Sequence, residues 1–263
     1  MLTTRLATAA VAIPLIAGVI WVGGELLAAL VALAVAIATL EICAARGANL
    51  LAPTSLLAAA TAALLPLAAL AGADELLGAV ALAVLLPTAV LALTHDPEDG
   101  VKAWLWTVAP ALYFGYLAGH FVLLRELPDG RAWLFLTILT VWVADTGAYF
   151  LGRAVGRHKL APAVSPGKTV EGAVGQVISG FVAVLVLNEA LGLDIDIGHA
   201  IALGLQVPVV ALLGDLAESA LKRALGVKDS SGLVPGHGGV ADRLDSLLFA
   251  APVVFWYTRW AVL

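Results

Sequence analysis

Asp215, Glu218 and Lys222 stand at spacings of three, four and seven in LLGDLAESALKRALG, so a helix through them carries all three on one face. Glu218 and Lys222 have the i,i+4 spacing of an ordinary helix ion pair. Asp215 has no basic residue four positions away and follows an apolar run, so it needs another partner, and a divalent cation is the natural candidate. Further on, KDSSGLVPGHGGVADRLD (228–245) supplies more of the same chemistry. Asp242 and Asp245 share a helical face, while Arg243 between them points elsewhere. The glycines of PGHGG, Gly238 and Gly239 among them, let backbone amides approach a phosphate closely. Lys222, Arg223, Lys228 and Arg243 add cationic donors. Hard carboxylate oxygens beside phosphate-binding cations are what Mg²⁺-assisted phosphoryl or nucleotidyl transfer requires.

Three other positions bear on that chemistry. Asp145, in LTVWVADTGAYFLG, falls toward the end of an apolar segment, where a carboxylate costs about 2.5–3.5 kcal/mol at the bilayer centre and less near its edge. A capped helix end would explain it, but intramembrane acids usually face a site. SPGKT (165–169) resembles the end of a P-loop, yet the first glycine of that motif would fall on Pro162. Lys168 can still bind a phosphate as a point charge, with Ser165 and Thr169 donating hydroxyls. His237 is evenly balanced between orienting a phosphate or carboxylate and fixing its loop; it has no His or Cys partner at zinc spacing.

The elements that must position these residues are set by composition. Of 263 residues, 62% are hydrophobic and only 13% charged, which a soluble core cannot accommodate but a bilayer can. The reading is an all-α polytopic membrane protein. Apolar segments fall near residues 6–23, 26–45, 54–72, 76–94, 103–124, 132–152, 171–193, 198–217 and 246–262, an expectation of about nine transmembrane helices. The first is too long for a signal-peptide core and is expected to be a retained helix. Two connections, 153–170 and 218–245, are rich in Gly, Pro and charge and must fold at the surface or in a cavity, where they would form the active site. With a cytoplasmic N-terminus, eleven of the fourteen Lys and Arg residues lie inside and only Arg125, Arg131 and Arg259 outside, so both loops are expected to be cytoplasmic. The functional division is residues 1–130, N-terminal helices, and 131–263, a catalytic region, within one membrane unit. A net charge of −5 argues against a nucleic-acid partner. A single cysteine, Cys43, leaves neither a disulfide framework nor a thiolate metal site.

SALKRALGVKDSSGLVPGHGGVADRLD (219–245) resembles the signature of the CDP-diacylglycerol synthases, also called phosphatidate cytidylyltransferases: S-x-hydrophobic-K-R, four residues, K-D, a variable stretch, H-G-G and D-R-x-D. Every charged position matches, and Val234 stands where Leu, Ile or Phe is usual. ADTGAYFLGRAVGRHKLAPAVSPGKTVEG (144–172) is similar to the family's second region, so the resemblance covers the C-terminal half. It implies the reaction of CTP with phosphatidate to give CDP-diacylglycerol and pyrophosphate, with Mg²⁺ required and a second cation left open, in the inner or plasma membrane. On that reading Asp215 and Asp242 hold the metal, with Asp145 or Asp245 as a further ligand. Lys168, Lys222, Arg223, Lys228 and Arg243 hold phosphates. The resemblance also places Asp229 and His237 in the catalytic set, and Ser219, Glu218 and Asp145 with Ser165, Thr169, Gly238 and Gly239 among the substrate contacts. A homodimer is left open as the assembly.

Two rivals stand beside this. An ion-coupled transporter would use Asp145 and Asp215 as a pathway but predicts inverted repeats, whereas the acids here concentrate in one half of the chain. A CTP-dependent polyprenol kinase would use the same nucleotide, differing in which phosphorus is attacked.

Overall fold

The computed structural model describes residues 2–236 and 238–263, with side chains from residue 7 onward. Helices follow one another with short connections: α1 (Leu2–Val22), α2 (Gly24–Ala45), α3 (Pro53–Ala68), α4 (Ala73–Thr94), α5 (Pro97–Pro110) and α6 (Leu117–Glu126), then α7 (Gly130–Val155), α8 (Val170–Leu191), α9 (Ile197–Ala224) and α10 (Ala241–Tyr257). Pro110 has no N–H to donate, and the next turns, Ala111–Tyr116, widen to π-type geometry before α6 resumes, so that Pro97–Glu126 is one 30-residue helical run. Among the described residues six helices are long and apolar enough to cross a membrane: α2, α4, the α5–α6 run, α7, α8 and α9. The protein is a helical, multi-pass membrane protein. Helices also occupy the other three expected spans, α1 with 21 residues, α3 with 16 and α10 with 17.

The chain is predominantly helical, in keeping with the all-α expectation, and within the first polar connection β1 (Lys159–Ala161) and β2 (Ser165–Thr169) form a short antiparallel hairpin that pairs Lys159 with Thr169 and Ala161 with Ser165. Pro162 and Pro166 keep this stretch out of helix. The second polar connection is shorter than the expected 218–245: α9 runs to Ala224 and carries Glu218, Ser219, Lys222 and Arg223 on helix, leaving 225–240 as the loop.

The chain divides into two compact units. One contains the residues up to Glu126 together with Asp229–Arg243, so a segment late in the chain packs with the N-terminal helices. The other contains Leu127–Lys228 and Leu244–Leu263. In the first unit, α2 and α3 pack side by side, and Arg125 near the end of α6 closes the C-terminus of α1. Its Nε donates to the Ile20 carbonyl at 2.8 Å and Nη2 to that of Trp21 at 3.2 Å.

In the second unit α7 and α8 make the broadest contact. Small residues of α8 are buried, including Gly172, Gly175, Gly180 and Ala183, while Val174, Ile178, Val182 and Val186 point outward at four-residue steps. That inversion is expected of a helix whose partners demand close backbone approach and whose outer face meets lipid. A Cβ on Gly147 would overlap Ser179, and one on Gly175 would sit 2.7 Å from the Leu151 Cβ and 2.9 Å from the Gly147 carbonyl oxygen.

This packing predicts that Gly175→Ala lowers stability by about 1–3 kcal/mol through overpacking. Gly78→Ala, on α4 with nothing within 4 Å of the added carbon, should leave stability unchanged or raised. Thermal unfolding in detergent of the two variants beside wild type checks the difference.

Candidate functional site: a hairpin-bound carboxylate and a carboxylate-bound loop

The second unit gathers polar groups where α7 ends, α8 begins and α9 ends. Thr169, the last residue of β2, is buried, and its hydroxyl oxygen accepts the Gly172 N–H at 3.1 Å, capping α8. Glu171 in the next turn accepts the backbone N–H groups of Arg157 at 3.0 Å and His158 at 3.2 Å, and lies 2.6 Å from His158 Nδ1. Lys159 Nζ donates to the Pro166 carbonyl across the hairpin at 2.8 Å. These bonds fix β2, and β2 carries Lys168.

Lys168 Nζ meets Asp215 Oδ2 at 2.6 Å, with the two side chains 20% and 31% exposed, so the pair is sheltered but reachable. The partner that the sequence demanded for Asp215 is therefore supplied in this structure by Lys168, from 47 positions upstream. Ser219, one turn on, donates its hydroxyl to Asp215 Oδ1 at 3.3 Å. Glu218 and Lys222 form the i,i+4 ion pair at 2.6 Å, and it is buried rather than solvated. Arg223 holds backbone: Nε donates to the Val164 carbonyl at 3.3 Å and Nη1 to that of Val227 at 2.9 Å, tying the hairpin turn to the end of α9. Asp145 accepts from Gln176 Nε2 at 3.1 Å. Asp245 Oδ1 accepts its neighbour's N–H, from Ser246, at 2.6 Å. Ser165 is half-buried on β2, and Lys228 is exposed.

In the first unit the loop before α10 is organised by two carboxylates. Asp242, 5% exposed, accepts at Oδ2 from Ser230 N–H at 3.0 Å, from the Ser230 hydroxyl at 3.0 Å and from Gly239 N–H at 2.7 Å. Glu41 of α2, 6% exposed, accepts the Ser231 hydroxyl at 2.6 Å and Val240 N–H at 3.0 Å on Oε1, and the Ser230 hydroxyl at 3.0 Å and Ala241 N–H at 2.9 Å on Oε2. The amide of Gly239, expected as a phosphate donor, is thus given to a carboxylate of the protein, as are those of its neighbours Val240 and Ala241. The glycines have a local reason of their own. Gly238 sits at φ +83°, and a Cβ on Gly239 would lie 2.6 Å from Glu41 Oε2 and overlap the Ser230 hydroxyl. Asp229 and Arg243 are exposed. His237 lies outside the described residues.

Sequence reasoning missed Glu41, Gln176, Ser230 and Ser231. Glu41 had a signal, an ionisable residue near the end of a 22-residue apolar helix. The other three are ordinary polar residues whose partners lie far away along the chain.

The model of the cytidylyltransferase family matches residues 3–261. The chain belongs to the cytidylyltransferase family. Among curated relatives, the phosphatidate cytidylyltransferase of Bacillus subtilis is 40% identical over 56% of this chain and 55% of its own length. That of Haemophilus influenzae is 48% identical over 47% and 44%. These matches span about half the length of those relatives. The phosphatidate cytidylyltransferase of Pseudomonas aeruginosa is 36% identical over 73% of this chain and 83% of its own. In this cytidylyltransferase-family chain, the residues of the C-terminal signature therefore divide between two local networks, one built on Asp215 and one on Glu41 and Asp242.

The cap at Thr169 gives a direct test. Thr169→Ser keeps the accepting oxygen and should hold the thermal midpoint near wild type, whereas Thr169→Val should cost about 1 kcal/mol of stability. Calorimetry or a thermal-shift assay of the solubilised protein separates them.

Proposed function

We propose that this chain transfers a cytidylyl group from CTP to phosphatidate, giving CDP-diacylglycerol and pyrophosphate. The observation that carries the reading is the Lys168–Asp215 pair backed by Ser219, a cation and a carboxylate held in register on separate elements and partly open to solvent. The names of the relatives support the same chemistry. A phosphatidate oxygen attacks the α-phosphorus of CTP, the bond from that phosphorus to the bridging oxygen breaks, and pyrophosphate leaves. Arriving phosphate oxygens would exchange with Asp215 for Lys168, whose ammonium then holds the triphosphate. Lys228, exposed in the same unit, suits a further anionic group.

Among the described residues no group of three or more His, Cys, Asp or Glu side chains gathers into a metal cage. The donors present nevertheless fit Mg²⁺, which takes oxygen ligands and commonly uses only one or two carboxylates, completing its shell with phosphates and water. Asp215 would hold it, with Asp145 or Asp245 in the same unit as a further ligand. When bound, the ion would neutralise charge developing on the phosphates.

CTP labelled at the α-phosphorus should deliver its label to lipid, and γ-labelled CTP should deliver its label to pyrophosphate; γ-label in lipid would mean a kinase instead. Asp215→Asn should reduce turnover by about a hundredfold or more without loss of the folded protein. Nearly unchanged Mg²⁺-dependent turnover would remove Asp215 from the metal site.

The membrane arrangement belongs to the same reading. With α1, α3 and α10 completing nine spans and the N-terminus inside, the hairpin and the 225–240 loop face the cytoplasm. Cysteines introduced at Ala163 and Gly232 should escape a membrane-impermeant thiol reagent applied from outside and react once the membrane is opened.

A further inference from the structure

We propose that Glu41 is a positioning residue for this reaction, fixing the 229–241 loop in the conformation on which turnover depends; this rests on the cytidylyl-transfer reading. The hydrogen bonds of Glu41 go to Ser230, Ser231, Val240 and Ala241, none of them a charged position of the signature. It lies in TLEICAAR on α2, nearly 190 positions before the loop it holds.

Four donors converge on its two oxygens, two hydroxyls from the beginning of the loop (Ser230, Ser231) and two amides from its end (Val240, Ala241). One carboxylate therefore closes the loop at both ends. The two amides open α10, whose first N–H groups have no partner within the helix, so Glu41 caps that helix from another part of the chain. A carboxylate this deeply buried is tolerable because three donors are given to it alone and the Ser230 hydroxyl is shared with Asp242.

Glu41 and Asp242 are linked through Ser230, whose hydroxyl lies 3.0 Å from an oxygen of each. A hydroxyl has one proton, so it donates to one carboxylate at a time and couples the positions of both. Between the loop's ends the Thr8 hydroxyl donates to the Pro235 carbonyl at 3.1 Å, and Val234 N–H to the Gly238 carbonyl at 2.8 Å. The exposed Asp229 and Arg243 flank this closed network, so their placement follows from it.

Glu41→Gln tests the inference because it keeps size and shape but replaces one acceptor oxygen by an NH₂ that must face a donor. The full-length chain in detergent or nanodiscs is compared with wild type in three measurements. One is kcat and KM for CTP, a second is the thermal midpoint, and the third is the labelling rate of Gly232→Cys, placed where an added side chain has open space. The native Cys43 is buried and contributes little signal.

We expect kcat to fall about tenfold or more with KM for CTP within about threefold, and the loop cysteine to label about tenfold faster. Glu41→Asp, which keeps the charge on a shorter stem, should recover part of both. A residue with a purely structural role would lower the midpoint and the yield while leaving kcat per folded molecule intact. If Glu41→Gln fails to fold, Ser231→Ala, which removes a single donor, should show the same pattern at about threefold. Wild-type kcat and labelling rate in Glu41→Gln, or in Ser231→Ala if that variant has to serve, would overturn the proposal. Absent α-label transfer by wild type would count against the cytidylyl-transfer reading instead, and the labelling rates would then still decide whether Glu41 holds the loop.

Discussion

In a chain this apolar, an ionisable side chain persists only where its charge is answered, and that constraint shapes both polar networks. Asp215 is answered by Lys168, Glu218 by Lys222, and Glu41 by four hydrogen-bond donors. The first and the last of these join elements that the sequence keeps apart. The hairpin is bound to α9 through Lys168 and Arg223, and the loop before α10 is bound to α2 through Glu41. Satisfying charge and fixing geometry are here the same event.

The two networks differ in what they leave available. Around Asp215 the partners are side chains, a lysine and a serine, which can exchange when a phosphate or cation arrives. Around Glu41 the partners include main-chain amides, whose directions are set by the backbone. The first arrangement suits a site that binds and releases anions, and the second suits a support that must hold still. Two glycines of the signature lie within the second network. Gly238 adopts a left-handed φ, and Gly239 leaves no room for a side chain between Ser230 and Glu41. A residue chosen for a phosphate contact and one chosen to let a loop close look identical in a sequence, because both are glycine.

Packing follows the same economy. On α8 the buried face is rich in glycine and the outward face is valine and isoleucine, reversing the soluble pattern. Lipid provides no hydrophobic force between helices, so close contact between backbones has to come from small side chains. That closeness brings Gln176 within reach of Asp145 and the end of α7 against the start of α8, where Thr169 and Glu171 secure the hairpin.

By itself the sequence determined that this is a multi-pass helical protein, because apolar length is a local property and a bilayer imposes a minimum on it. It determined the family too, since the spaced charges from Ser219 to Asp245 are a pattern along the chain, and residues 3–261 match the cytidylyltransferase family. The Glu218–Lys222 pair was legible for the same reason, being a matter of helical spacing. Partners distant in sequence were not legible. Nothing near Asp215 names Lys168, and nothing near Ser230 names Glu41. Only the tertiary structure decided those, because a hydrogen bond or ion pair is fixed by distance in space, and folding brings together residues that spacing along the chain cannot pair.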